Sequence, residues 1–583
     1  MKIIRTLFIA SLLSLISTSL YAQDYYVCDT GNDENSGTST FAPFKSVLRG
    51  LRAFNEMQGG DSVLFCRGGT FNIIPSSSLY NTKCSASNVC TIGAYGEGER
   101  PIIISKGNTR PAAIHFSDGG APSKSGGYVV KDLILVSDGT TPYGVELIND
   151  VDDVLLDNLQ IQGFGIGVYS AGSNAVTSSD VNGTNDRVTL RNSSIIDNGD
   201  QGWLGGGTDI LIENNAFQNN GYSLAVFNHN IYINGSITSP TSGVIIRGNT
   251  LYKSAIVNGE CKGVSLVGHG VMNNILIENN TIKEDEGKAG DGCWGIAIDA
   301  GYAQIEEEFN NLTIRNNTII NVGGLAIGCS SCVGVSIEGN TIVDPSGILY
   351  VGISVPNRGE DAVKSKDVTI SGNRVLLNRL DNSGISVAGS NVFSVVNNSI
   401  EQPSSAYTAC IKRASTNADT DISSNQCNKY VSFSDVYDGT NPVDTTPVDT
   451  TPVDTTPVDT TPVDAEPTVG IPKGEEPIDA TPIHISSTGT SSTGTSSTGT
   501  SSTYASSSDT SPTHESSTDT SSTYASSSDT SPTHERSTDT SSTIVSAVYV
   551  SPKYSSLTNH AKSTKHVKSK CRALSSSGRC LMR

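Results

Sequence analysis

Tryptophan and positive charge are both scarce in this chain of 583 residues. Only Trp203 and Trp294 represent the first, and 38 lysines and arginines stand against 58 acids. The formal charge of −20 argues against nucleic acid as a partner, because phosphate backbones are bound by clustered cations. It also disfavours polyanions in general, so an acidic polysaccharide would need a locally basic groove. No run beyond the N-terminus is long enough to cross a membrane. The N-terminus itself, Met1-Lys-Ile-Ile-Arg5, an apolar run from Leu7 to about Ile16, then Leu20-Tyr-Ala22, reads as a secretory signal peptide cleaved after Ala22. All 12 cysteines lie beyond that point, an even number suited to disulfides in an oxidising compartment. The expected location is secreted or cell surface.

Helical spacing is missing from the central region, and a short sentence repeats there instead. Ile275-Leu-Ile-Glu-Asn-Asn-Thr-Ile282 recurs as Leu312–Ile319, Val335–Ile342 and Val368–Val375, with looser copies around them. Alignment fixes a column of asparagines: Asn215, Asn249, Asn280, Asn317, Asn340, Asn373, Asn398 and Asn425, spaced 34, 31, 37, 23, 33, 25 and 27 residues apart. Apolar and polar residues alternate before each asparagine, and β-branched residues follow it, so each copy is strand-like. A unit this short cannot bury its apolar face alone, and neighbouring copies must stack. Asparagine suits the turn because it tolerates the left-handed conformation and its amide bonds to the same amide in the coils above and below. A second strand carries a Gly-apolar-x-apolar signature, as in Gly144–Leu147, Gly165–Val168, Gly263–Leu266, Gly295–Ile298, Gly352–Val355 and Gly384–Val387.

In these repeats, residues 24–437 resemble the right-handed parallel β-helix proteins of the pectate-lyase type. The expected fold is an all-β solenoid with an N-terminal capping helix, where Val47, Leu48, Leu51 and Phe54 show helical spacing, followed by a low-complexity tail. The expected organisation is a signal peptide 1–22, a capping module 23–90, coils 91–437, a Thr/Ser/Pro-rich disordered linker 438–546 and a basic tail 547–583. The tail offers attachment to the cell surface as one role.

Substrate in such folds lies across one sheet, over the outward side chains of successive coils, and the Gly-apolar-x-apolar strands mark that sheet. Outward positions on it are His115, Glu146, Tyr169, Tyr232, Asn234, Ser265 and Asp299, with His229 and His269 at strand ends and only Ala326, Ser354 and Ser386 in later coils. His229-Asn-Ile-Tyr232 pairs a base with an acid. Lys262 and Arg358 are the nearest cations for a uronate carboxylate. The expected catalytic set is therefore His229, Tyr232, Lys262 and Arg358, with His115, Glu146, Tyr169, Asn234, His269, Trp294 and Asp299 as substrate-binding residues. Asp150, Asp152 and Asp153 are candidate calcium ligands, as are the acids of Asp29–Asn35. Cys261 and Cys293 each stand two residues before a strand glycine of successive coils, which places them within disulfide reach at a strand spacing of ~4.8 Å.

Gly268-His-Gly270 resembles a polygalacturonase motif, but Asn-Thr-Asp, Gly-Asp-Asp and Arg-Ile-Lys are absent, and so are the pectate-lyase signatures Trp-Ile-Asp-His and Arg-x-Pro-x-x-Arg. No catalytic residue carries over from either family. Three functions remain as expectations: a polysaccharide lyase acting on a uronate polymer, a surface adhesin on a Thr/Ser-rich stalk, and a glycoside hydrolase using Glu146 and Asp299.

Overall fold

The computed structural model describes residues 22–437 except 109–110, 119–124, 173–182, 225, 299–306, 359–360, 389–392 and 415–419. The expected signal peptide (save Ala22), linker, basic tail and Asp299 lie outside the described residues. Three sheets of parallel strands run the length of the coiled region, holding 15, 13 and 11 strands. Each coil contributes one strand to each sheet in turn, which is a parallel β-helix. The repeated sentence spans a corner: Leu276 and Ile277 lie in the first sheet, Asn280 in the turn, and Thr281–Lys283 in the second.

The interior is a continuous stack of aliphatic side chains. Ile246, Ile277, Ile314, Ile337 and Ile370 occupy one register column of the first sheet, and all are fully buried. The asparagine column forms an unbroken ladder. The Nδ2 of Asn280 donates to Asn317 Oδ1 at 3.0 Å and to the Ile246 carbonyl at 2.9 Å. Its own Oδ1 accepts from the backbone N–H and the Nδ2 of Asn249. The left-handed residue of this turn is the one before the ladder position: Asn214, Gly248, Asn279, Asn316, Gly339, Gly372 and Asn397 all have φ between 54° and 65°. The ladder asparagines are thus chosen for their amides, and their predecessors for the turn.

The helix Val47–Glu56 begins at Ser46, whose hydroxyl accepts the Arg49 N–H at 3.2 Å. It buries Val47, Leu51 and Phe54, and Phe54 meets the stacked rings of Phe116 and Tyr128. Asp33 accepts the N–H groups of Lys45 and Ser46 at 2.8 Å each, and Asp29 accepts that of Thr70 at 3.0 Å. These two acids of the Asp29–Asn35 loop thereby serve the backbone. The strands Asp24–Val27 and Ser62–Cys66 already belong to the first sheet, so the capping residues are continuous with the coils.

Five disulfides join Cys28–Cys66, Cys84–Cys90, Cys261–Cys293, Cys329–Cys332 and Cys410–Cys427. The Cys261–Cys293 bond spans 5.3 Å between α-carbons. Its geometry differs from the expected strand-on-strand pairing. Val264 pairs with Trp294, which sets Cys293 opposite Gly263. Cys261 instead approaches from a hairpin, Ile256–Val257 against Glu260–Cys261.

Candidate functional site on the third sheet

Pairing register fixes which side chains share the outer face of the third sheet. His115, Glu146, Tyr169, Leu204, Tyr232, Val267 and Ala297 form one column. Three residues earlier, Tyr143 and Ile166 pair in a second column, as do Val264 and Trp294. The position between these columns turns inward at the corner of the coil. A Cβ on Gly144, Gly167, Gly202 or Gly295 would lie 2.3–3.0 Å from Ile161, Ile195, Phe217 or Ile319 respectively. Ser265 and Ala326 occupy this same position and are 1% and 0% exposed. Both were expected outside. The register makes Ser265, not Gly263, the equivalent of Gly295, so they line the interior corner instead.

At the N-terminal end of this face, His115 Nδ1 and Glu146 Oε2 lie 2.6 Å apart and both side chains are buried. Tyr143 and Tyr169 pack beside them with ring centroids 4.8 Å apart. Burial, and then the charges of Tyr169, Glu146 and Asp200, push the Tyr143 hydroxyl up to about 12. Tyr169 is raised for the same leading reason, with Glu146 as the second cause. Both phenols therefore stay protonated and can donate hydrogen bonds.

Further along, Tyr232 stands between two histidine rings, 5.6 Å from His229 and 5.4 Å from His269. His229 is buried, and its Nδ1 donates to the Val264 carbonyl at 3.1 Å. Burial holds it down at about 3, so the ring is neutral and a weak base. His269 is less buried, with its side chain 15% exposed. Its Nδ1 bonds Glu307 Oε1 at 3.0 Å, which orients the ring. Asn234 pairs directly with His269 across adjacent strands and is exposed. Trp294 flanks the site, packing with Tyr232 on an outer apolar patch of Val264, Val267 and Ala297.

Glu307 escaped sequence reasoning because it lies in the run Glu306-Glu307-Glu308, just before the strand Glu308–Arg315. Nothing in the spacing told which of the three acids would turn inward.

The structure does not gather the rest of the expected catalytic set. Lys262 precedes the strand Val264–His269, while Arg358 follows the strand Val351–Val355, so they occupy opposite ends of the sheet. Lys262 is bound to Glu260. Arg358 bonds Asp361 at 3.1 Å and Ser330 at 2.8 Å. The hydrolase pair is only half described, because Asp299 lies outside the described residues. Ile298, which directly precedes Asp299, lies in a strand five steps from that of Glu146. Five steps put the strand of Ile298 ~24 Å from that of Glu146.

The three aspartates proposed for calcium diverge. Asp152 and Asp153 turn to Arg187 at 2.9 and 2.5 Å, and Asp152 also accepts the Asp186 N–H. Asp150 is buried, and neither of its oxygens has a hydrogen-bond partner among the described residues. Burial and the charges of Asp152, Asp118 and Asp186 push it up to about 6. Among the described residues, the groups with three metal-ligand atoms in reach are Cys28/Asp29/Cys66 and Cys261/Glu284/Cys293. In each, both sulfurs are tied in a disulfide, which removes their thiolates as ligands.

No family model matches the chain. A lacto-N-biosidase of Bifidobacterium longum subsp. longum is 26% identical over 368 residues, a match covering 56% of this chain and 20% of that protein. The chain thus spans about a fifth of that relative's length. Similar solved structures include a lacto-N-biosidase from Eubacterium ramulus, with TM-score 0.41 and 13% identity over 70% of this chain and 68% of that one. An alginate lyase from Paenibacillus sp. has TM-score 0.30 and 13% identity over 66% of this chain and 96% of that one.

Proposed function

We propose that this chain is an exported carbohydrate-active enzyme that holds a glycan along the outer face of the third sheet and cleaves it by β-elimination. One observation carries this reading: Tyr232, Asn234 and His269 adjoin on two neighbouring strands, with His269 held by Glu307. In the proposed step, His269 Nε2 removes the proton next to a uronate carboxylate. The freed electron pair forms a carbon–carbon double bond, the glycosidic bond breaks, and the Tyr232 hydroxyl protonates the departing oxygen. Asn234 donates its amide to the uronate carboxylate and stabilises the charge that develops there. Tyr143, Tyr169 and Trp294 supply rings that stack on sugar faces. A second reading, hydrolysis of a glycosidic bond, is favoured by the sequence likeness to a lacto-N-biosidase.

Incubation of the chain with pectate, alginate and other glycans, with and without calcium, separates the two. Rising ultraviolet absorbance from an unsaturated product, lost in His269→Ala and Tyr232→Phe, supports elimination. New reducing ends without absorbance would replace it with hydrolysis. Neither signal on any glycan would sink both.

A further inference from the structure

Where the second sheet bends into the third, the turns after three successive strands, Ala216–Gln218, Thr250–Tyr252 and Thr281–Lys283, border a cavity of ≈ 270 Å³. Four charged groups on its lining are mutually balanced. Lys253 pairs with Asp285 at 3.2 Å, and Asp285 also accepts the Tyr252 hydroxyl at 2.5 Å. Asp197 accepts the amides of Asn219 at 2.8 Å and Gln162 at 3.2 Å, and Lys288 stands exposed at the rim. The fifth, Glu284, is 6% exposed. Its Oε1 accepts the Ser254 N–H at 2.8 Å, and its Oε2 has no hydrogen-bond partner among the described residues. Burial pushes Glu284 up to about 8, so at neutral pH it is an uncharged acid.

That leaves two lysines against two aspartates on the lining. A divalent cation would meet both ammonium groups, and a phosphate or carboxylate would meet both aspartates. An uncharged ligand rich in hydroxyls meets neither penalty. It would find amide and ammonium donors, carboxylate acceptors and a small apolar wall at Ile256 and Gly259. The cavity is smaller than the ~300–1,000 Å³ of typical small-molecule pockets, which limits the ligand to a single ring.

We propose that this cavity binds one uncharged sugar unit. It lies apart from the proposed groove, against the hairpin that ends at Cys261, at the end of the strand Val264–His269 opposite to His269. The proposal rests on the glycan reading only for its class of ligand.

The test is calorimetry and saturation-transfer NMR on the full chain carrying His269→Ala, with glucose, galactose, xylose, mannose and N-acetylglucosamine as probes. At least one is expected to bind at millimolar concentration or tighter. The double variant Gln218→Ala/Lys288→Met changes only exposed side chains and should weaken binding at least tenfold with an unchanged melting temperature. Glu284→Leu should weaken it likewise.

Absence of binding by every probe overturns the proposal, as does binding that survives the double variant. Calcium or inorganic phosphate bound through Glu284 in place of sugar would also overturn it. Cleavage by the wild-type chain is read separately. Cleavage without pocket binding defeats only this inference, and pocket binding without cleavage defeats only the enzymatic reading.

Discussion

Replacing Asn280 removes one rung from the middle of the buried ladder, and its consequence can be worked from the bonds it makes. In Asn280→Ala the Asn249 backbone N–H loses its acceptor at 2.9 Å, and the Ile246 carbonyl loses the side-chain donor at 2.9 Å. Asn249 Nδ2 keeps a second acceptor in the Ile212 carbonyl, so it is not orphaned. The Ile246 carbonyl stays in the strand ladder, so one buried N–H is left unsatisfied at ~1–3 kcal/mol, and the lost amide bond adds ~1 kcal/mol, a loss of ~2–4 kcal/mol.

Asn280→Asp conserves shape but sets a carboxylate oxygen 3.0 Å from Asn317 Oδ1 and 2.9 Å from the Ile246 carbonyl. Acceptor then faces acceptor in a buried site, and this variant should be at least as damaging as alanine. Asn279→Gly, one residue away but exposed and at φ 55°, should lie within ~0.5 kcal/mol of wild type. Urea unfolding followed by circular dichroism measures all three. Because coils stack as nearest neighbours, a weakened central contact should also broaden the transition. An Asn280→Asp protein as stable as wild type would refute the account of the column as a directional amide ladder.

Other outcomes follow from the same geometry. If elimination occurs at the proposed site, His269→Ala and Tyr232→Phe should each lower kcat/KM by ~10²–10⁴. Glu307→Gln should lower it less while leaving substrate affinity unchanged, and full activity in any of these variants would move the site elsewhere. Cys261→Ser/Cys293→Ser opens a loop with a sequence separation of 32 residues. That should cost about 3–4 kcal/mol of unfolding free energy and lower the urea midpoint, and an unchanged midpoint would show that the hairpin holds itself.

Glu284 has its carboxyl raised from 4.5 to about 8, chiefly by burial and further by the like charge of Asp285, while the Ser254 N–H and Lys253 act the other way. The native chain therefore binds this proton more tightly than the unfolded chain. The resulting stability is complete below about 4.5 and is lost as pH rises to about 8. Its size is at most ~5 kcal/mol. Glu284→Gln lacks this term, so its stability relative to wild type should increase between pH 5 and pH 9, and a constant difference would contradict the burial.

The coil and its ladder were legible because the same asparagine recurs in nearly the same words in each coil. The outer face was legible only where the strand signature is unambiguous. Gly144-Val-Glu-Leu147 offers one register, whereas Gly165-Ile-Gly-Val168 and Gly263-Val-Ser-Leu266 offer two small residues, and the structure uses the second of each. That two-residue slip put Ser265 outside instead of inside. It also supplied a strand-pairing argument for a disulfide that a hairpin actually delivers. His229 and Tyr232 adjoin as their spacing suggests, but the spacing carried no information on depth, and depth is what makes His229 a poor base. Partnerships across coils, such as Glu307 with His269 or Arg187 with Asp152 and Asp153, depend on loops of irregular length that no periodicity encodes.

The ladder also has a direction. Each side-chain amide from Asn215 to Asn398 donates to the next asparagine of the column, and each from Asn249 to Asn425 accepts from the one before. Its first oxygen is capped by the Ser193 N–H, and its last nitrogen by the carbonyls of Val395 and Ile422. Eight aligned amide dipoles polarise one another, giving the solenoid an electrical axis made of side chains, negative at the Asn215 end and positive at the Asn425 end. An added negative charge is therefore better accommodated beside Asn425 than beside Asn215, much as anions favour one terminus of an α-helix.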